Sequence, residues 1–176
     1  LDAPYPAPFR AATPAPESNR ELASLPAPRC LHEFLTRSQH DHFGFFETPG
    51  DSLREAQDRL ILRGARLLQR NSLVVDVGCG LGGAVNLLAA QGHRVIGIDP
   101  CTASIAYARA RASSPRAQFV ASDLAEFTRR ARGARFDALL LTEVLTNFPD
   151  AGAALNECRA LLRPGGLLLV HDVVQH

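Results

Sequence analysis

Four short stretches of this sequence set carboxylates and glycines where they could share one site. In Val75-Asp76-Val77-Gly78-Cys79-Gly80-Leu81-Gly82-Gly83 an acid stands two residues before a run of glycines. Ile96-Gly97-Ile98-Asp99 closes an apolar run with a second acid, and Ser122-Asp123-Leu124 follows another such run. Phe136-Asp137-Ala138-Leu139-Leu140-Leu141-Thr142-Glu143 ends a fourth. Glycine permits a tight turn and lets a ligand approach bare peptide, because no Cβ intervenes. A helix starting near Gly83 would add unpaired N–H groups and partial positive charge. Together these describe a nucleotide-shaped cradle.

Two fingerprints fit the glycines. Gly78, Gly80 and Gly83 satisfy G-x-G-x-x-G, the dinucleotide pattern, while Asp76, Gly78, Gly80 and Gly82 satisfy Asp-x-Gly-x-Gly-x-Gly. A tight turn with no ligand is the bland alternative. Asp99, at a strand's carboxyl end, is placed to meet a ribose diol, although it could also cap the next helix. Asp123 and Leu124 offer an acceptor and an apolar face for an adenine ring, and Asp123 is equally suited to capping a helix. Asp76 separates the possible ligands. An acid beside the turn would repel a pyrophosphate and attract an ammonium or sulfonium group. S-adenosylmethionine has adenine, a ribose diol, a sulfonium and an amino-acid tail, and it meets all four requirements. An NAD-dependent oxidoreductase is disfavoured on the same ground.

The elements that must hold these residues follow from periodicity. The expected order is strand Leu73–Val77, helix Gly83–Gln91, strand Arg94–Ile98, helix Thr102–Ala112, strand Gln118–Ala121, helix Leu124–Arg132, strand Phe136–Leu141, helix Ala151–Leu162 and strand Leu167–His171. Gly92, Gly133 and Pro164-Gly165-Gly166 punctuate the helix ends. Continuous apolar strands alternating with helices predict an α/β fold with a doubly wound, mostly parallel sheet, Rossmann-like and covered on both faces. Upstream, a short helical stretch from Leu31 leads into His40-Asp41-His42-Phe43-Gly44-Phe45-Phe46. A capping box, Ser52-Leu53-Arg54-Glu55, then opens a helix to about Gln69 with an apolar stripe of Leu53, Ala56, Leu60, Leu67 and Leu68. The expected organisation is a proline-rich tail or linker over 1–29, a helical lid segment over 30–70 and a binding domain over 71–176. Residues 1–29 hold seven of the twelve prolines, a composition of extended, solvated chain.

Composition narrows the classes. The 176 residues suffice for one domain, and a formal net charge of +1 gives no basis for nucleic-acid or anionic-membrane partners. All 19 basic residues are arginine and are scattered. The four cysteines form no CxxC pair, so free thiols in a cytoplasmic setting are expected. No apolar run reaches the ~20 residues of a membrane span. There is no methionine, even at position 1, so the chain reads as a fragment or processed form.

The segments Val74–Asp99, Asp123, Phe136–Glu143 and Leu161-Leu162-Arg163-Pro164-Gly165-Gly166 resemble successive motifs of class I S-adenosylmethionine-dependent methyltransferases, across about residues 72–172. His42-Phe43-Gly44-Phe45-Phe46 followed by the 52–60 helix resembles the lid of bacterial small-molecule methyltransferases of natural-product pathways. The resemblance implies backbone contacts from Gly78 and Gly80 to the cofactor's methionine part, Asp99 on the ribose, Asp123 and Leu124 at adenine, and the backbone near Leu141 and Thr142 at the amino group. It also implies a Rossmann-like fold whose sixth and seventh strands are absent from this chain.

The expected activity is methyl transfer to oxygen, nitrogen or carbon of a small molecule, with S-adenosylmethionine as cofactor and no metal. His42, Phe43 and Phe46 would face the acceptor. A base could come from His171, Glu143, His40 or His42, and His171 and Glu143 are preferred, although each could be merely structural. Glu143 leads to Thr146-Asn147-Phe148, where the natural-product group often carries histidines. A non-catalytic methyltransferase-like module, joined to another domain through the tail, is the alternative.

Overall fold

The computed structural model describes residues 38–131 and 133–173. The 1–29 tail, the stretch from Leu31 to Arg37 and Arg132 therefore lie outside the described residues. In chain order the elements are α1 (Leu53–Ala65), β1 (Leu73–Val77), α2 (Gly83–Ala90), β2 (Arg94–Asp99), α3 (Thr102–Ala110), β3 (Ala117–Ala121), α4 (Leu124–Ala131), β4 (Phe136–Thr142), a 3-10 turn (Leu145–Asn147), α5 (Ala151–Leu161) and β5 (Leu162–His171).

The five strands form one parallel sheet in the order β3-β2-β1-β4-β5. Order reverses between β1 and β4, so a crevice opens at their carboxyl ends, where open α/β sheets bind ligands. Alternation along β1 explains why its run is continuously apolar. Val75 and Val77 join Phe127, Phe136 and Leu161 beneath α4 and α5. Val74 faces the other way, with Ile61, Leu88, Val95 and Ile105 beneath α1, α2 and α3. Asp76 shares the Val74 face and sits where that face meets the crevice.

Three expectations change. The apolar stripe assigned to α1 matches its buried face only in part: Ala56 is buried, but Gln57, Ile61 and Gly64 complete that face, Leu53, Leu60 and Leu68 are half-buried, and Leu67 is exposed. The polar Gln57 is inside because its side chain bonds to the preceding segment, a reason that hydrophobic periodicity cannot register. The helix also stops at Ala65, with the Arg66 and Leu67 N–H groups turning back on Leu62 and Gly64 carbonyls. The last strand begins at Leu162, directly after α5, and not at Leu167. Pro164-Gly165-Gly166 is a bulge within it, since the register steps from Phe136↔Leu162 to Ala138↔Leu167 and Gly165 takes φ +74.

At the opposite edge from the crevice, one carboxylate ties three strands together. Asp137 Oδ2 accepts from the Leu73 N–H at 2.7 Å, and Oδ1 accepts from Arg163 Nε at 2.6 Å. Burial pushes the Asp137 carboxyl up, but these bonds outweigh it and hold it below the usual range. Its stabilisation is therefore present above about pH 4 and is lost as pH falls through the lowered value. Asp137→Ala should cost about 1–3 kcal/mol in urea unfolding at pH 7, and less at pH 3.

Candidate functional site

The glycine turn is built on left-handed backbone. Gly78, Gly80 and Gly82 have φ of +75, +53 and +87, and the Gly78 and Cys79 N–H groups donate to the Ile98 carbonyl at 2.8 and 2.9 Å. These are the three glycines of Asp-x-Gly-x-Gly-x-Gly, so this fingerprint is the one the backbone requires. Gly83 serves another end. A Cβ there would stand 2.7 Å from His40 Nδ1, and the Gly83 N–H donates to the Gln39 carbonyl at 3.2 Å. The segment before α1 thus lies directly on the start of α2.

That segment, residues 38–46, is irregular but firmly tied. Ser38 Oγ donates to Gln57 Oε1 at 2.8 Å, and the Gln57 amide donates to the His42 carbonyl. The Phe45 N–H donates to the Ala56 carbonyl at 2.8 Å, and the Phe43 N–H donates to Glu143 Oε1 at 2.8 Å. Gly44 fits because a Cβ there would lie 2.5 Å from the Ala56 Cβ. Sequence reasoning missed Gln57 and Asp58 as site residues. Their signal was a polar pair on a helix face that packs inward.

Between this segment and the glycine turn is a cavity of about 130 Å³, with Asp76, Gly78, Gly80, Thr142, Glu143, His40 and His42 among its lining residues. Pockets that hold a whole small-molecule ligand typically measure about 300–1,000 Å³, so this cavity has room for one end of such a ligand. Asp76 is 3% exposed, and burial, with the Asp99 charge beside it, raises its carboxyl to about 7. Thr142 Oγ1 is buried and has no hydrogen-bond partner among the described residues. A raised acid and an orphaned hydroxyl at one small cavity both suit a cationic N–H donor such as an ammonium group.

The remaining expected residues are placed as follows. Asp99 is buried, accepting from the Gly80 N–H at 3.0 Å and the Cys101 N–H at 2.8 Å. It therefore fixes the glycine turn as well as ending β2. Asp123 is exposed and accepts from the Glu126 N–H at 2.7 Å, capping α4. The Leu124 and Leu141 side chains are buried in the core beneath α4 and α5, which leaves their backbone as the part near the sheet edge. Glu143 sits at φ +51 with its N–H bonded to the His171 carbonyl at 2.7 Å, and burial raises its carboxyl. The His171 ring packs close to Gly64 of α1, its Nδ1 buried without a partner among the described residues, and burial lowers its pKa. Phe43 and Phe46 are exposed.

The sequence profile described as "Methyltransferase domain" matches residues 75–170, just over half of the chain. A ubiquinone biosynthesis O-methyltransferase of Bradyrhizobium sp. (strain ORS 278) is 34% identical over 122 residues, covering 67% of this chain and 47% of the relative. One of Rhodopseudomonas palustris (strain BisA53) is 36% identical over 124 residues, with the same coverage. The chain thus spans about half the length of the curated relatives it matches. Among solved structures, the cyclase SpnF superposes with TM-score 0.70 at 24% identity, covering 89% of this chain and 61% of SpnF. A cyclopropane synthase of Mycobacterium tuberculosis superposes with TM-score 0.66 at 19% identity, covering 88% of this chain and 53% of that one. With the family profile spanning β1 to β5 and the glycine turn at the switch point, the chain belongs to the class I S-adenosylmethionine-dependent methyltransferase family.

Proposed function

We propose that the protein binds S-adenosylmethionine at the glycine turn and methylates a hydroxyl of a small molecule. The observation that carries this reading is the buried Asp76 beside a cavity that also holds the unpartnered Thr142 hydroxyl. When bound, the sulfonium supplies an activated methyl group.

The chain's own residues bind and orient. Asp76 and Thr142 face the amino end, with the backbone at Leu141. The amides of Gly78, Gly80 and Gly82 leave room for the methionine part. Asp99 takes the ribose hydroxyls, and Asp123 with the Leu124 backbone takes adenine. Holding an acceptor in line with the methyl supplies much of the acceleration in such a displacement. Phe43, whose N–H is bonded to Glu143, and Phe46 are exposed and suit an aromatic or otherwise apolar acceptor. Oxygen is the acceptor atom named for the curated relatives, which supports a hydroxyl over nitrogen or carbon.

Among the described residues no helix is long and apolar enough to cross a membrane. A cytoplasmic bacterial enzyme of a small-molecule pathway fits the composition and the curated relatives. Calorimetry with S-adenosylmethionine tests the cofactor reading. Binding is expected for the chain, and Asp99→Ala should weaken it about 10- to 100-fold, the worth of charge-assisted hydrogen bonds. No heat of binding to the unsubstituted protein would overturn the reading.

A further inference from the structure

Arginines that are scattered along the sequence are gathered by the fold. All five strands are parallel, so every strand start lies at one edge of the sheet. Each of those starts carries an arginine. In order across the sheet they are Arg116 just before β3, Arg94 opening β2, Arg70 three residues before β1, Arg135 just before β4 and Arg163 at the second position of β5. Backbone bonds join neighbouring starts. The Val95 N–H donates to the Arg116 carbonyl at 2.8 Å, and the Arg94 N–H donates to the Ser72 carbonyl at 2.9 Å. Acids stand at the other edge, with Asp76, Asp99, Asp123, Glu143 and Asp172 at or near the strand ends. Strand β4 is seven residues long, so the two edges lie roughly 20 Å apart, well beyond a Debye length of about 8 Å. The net charge of +1 therefore describes neither edge.

The acids serve the crevice, but the arginines have no part in it. Helix dipoles do not account for the row either, because the basic residues of the helices' last turns are others, Arg63, Arg109, Arg130 and Arg159. Asp137, the acid among the strand starts, is already engaged by the Leu73 N–H and by Arg163. Arg70, Arg116 and Arg135 are exposed. Arg116 Nη1 donates to Asn71 Oδ1 at 2.7 Å and to the Gly92 carbonyl at 3.2 Å, and Arg135 Nη1 donates to the Ala134 carbonyl at 3.1 Å. Neutral oxygens thus hold these two guanidiniums without offsetting their charge, which lowers the ordering cost of a later contact. Arg59 and Arg130, by contrast, are paired with acids on or beside their own helices.

We infer that the arginine edge is a docking face for an extended acidic segment of a partner protein, held there while the crevice at the opposite edge stays open. A guanidinium presents a planar fork that matches a carboxylate. Five strands at the usual spacing make a row of roughly 19 Å, which an extended segment of about six residues spans. Acids at alternate positions of such a segment would all face the row. Nucleic acid fits less well. The edge is a blunt line of strand starts with no helix or ribbon projecting to enter a groove. Among the described residues it also has no exposed aromatic ring on which bases could stack. A lipid surface would need apolar side chains to insert. The exposed Phe43, Phe46 and Val173 belong to the crevice end, which leaves Leu67 for this one.

Fluorescence polarisation of a dye-labelled peptide of alternating glutamate and serine tests the docking face on the purified chain. Binding should saturate at about 50 mM salt and weaken about tenfold at about 300 mM. Arg116→Gln with Arg135→Gln should weaken it about 5- to 20-fold, the worth of two exposed pairs. Arg54→Gln, an exposed position at the start of α1, should leave it unchanged. No saturable binding at the lower salt, or equal losses in the two variants, would overturn the docking face. Backbone ¹⁵N NMR of the unsubstituted chain locates the contact without any substitution. Peptide should shift resonances at the strand starts, and shifts centred on the glycine turn, or competition with S-adenosylmethionine, would overturn the placement. Tighter binding of a poly-uridylate strand or of phosphatidylglycerol vesicles, at equal total charge, would overturn the choice of a protein partner.

Discussion

Asp76→Asn is expected to make the unliganded chain more stable at pH 8 and to make it a poor binder of S-adenosylmethionine. The Asp76 carboxyl is raised from its ordinary 3.8 to about 7 because folding buries it beside Asp99. A carboxyl raised on folding destabilises the folded state progressively as pH climbs from about 4, and the penalty is complete above about 7. The shift corresponds to a few kcal/mol, about 4 at face value, so the amide should raise the melting temperature at pH 8 by roughly 5–15 °C. The gain should vanish near pH 4, where both side chains are neutral. A cationic ligand reverses the balance, since it needs the ionised acid. The unsubstituted protein's affinity for the cofactor should therefore weaken about tenfold per unit below pH 7, while Asp76→Asn is weak at every pH. Scanning calorimetry at pH 4 and 8, with and without cofactor, reads both effects. An amide variant no more stable than the parent at pH 8 would remove the basis for calling Asp76 a strained residue.

Gly78→Ala should be the most damaging single-carbon change in the glycine turn. Its φ of +75 costs an alanine about 1–2 kcal/mol, and the added Cβ would stand 2.5 Å from Val144 Cγ2. Relief of that contact must move Val144, whose neighbour Glu143 is already held at φ +51. Overpacking of this kind costs about 1–3 kcal/mol, giving roughly 2–5 kcal/mol in total by urea unfolding, with cofactor binding lost. Gly92 supplies the control. Its φ is +90, but nothing lies within 4 Å of the Cβ position, so Gly92→Ala should show the backbone cost alone. Equal losses for the two would mean that packing on Val144 contributes nothing.

Much of this was legible in sequence because the signals are local. Apolar runs of five to seven residues ending in Asp76-Val77, Asp99 and Thr142 marked the strands and their carboxyl ends, and the acid before the glycines distinguished a cationic ligand from a pyrophosphate. The doubly wound, mostly parallel sheet followed from the alternation of strands and helices. What escaped is what depends on contacts between distant residues. Asp58 reaches His40 across 18 positions of chain, and Gln57 is buried by the backbone it satisfies. Neither leaves a periodic trace. Pro164-Gly165-Gly166 misled for the opposite reason, since its composition ends helices and also forms bulges, and only the pairing with β4 decides between them. SpnF, a cyclase, has the same architecture, which is why the reaction has to be argued from side chains and not from the sheet.

The Asp137 clamp and the cavity occupy opposite ends of β4. Asp137 and Thr142 are five residues apart on one strand, roughly 17 Å, beyond the 7–10 Å or so within which substitutions usually couple. Changes that strengthen the far edge should therefore add to the fold without altering what the crevice recognises. Variants that reshape the acceptor side for a new substrate, or that keep the costly Asp76 ionised, could draw on that reserve. The same separation allows a lineage to exchange substrates while its sheet persists.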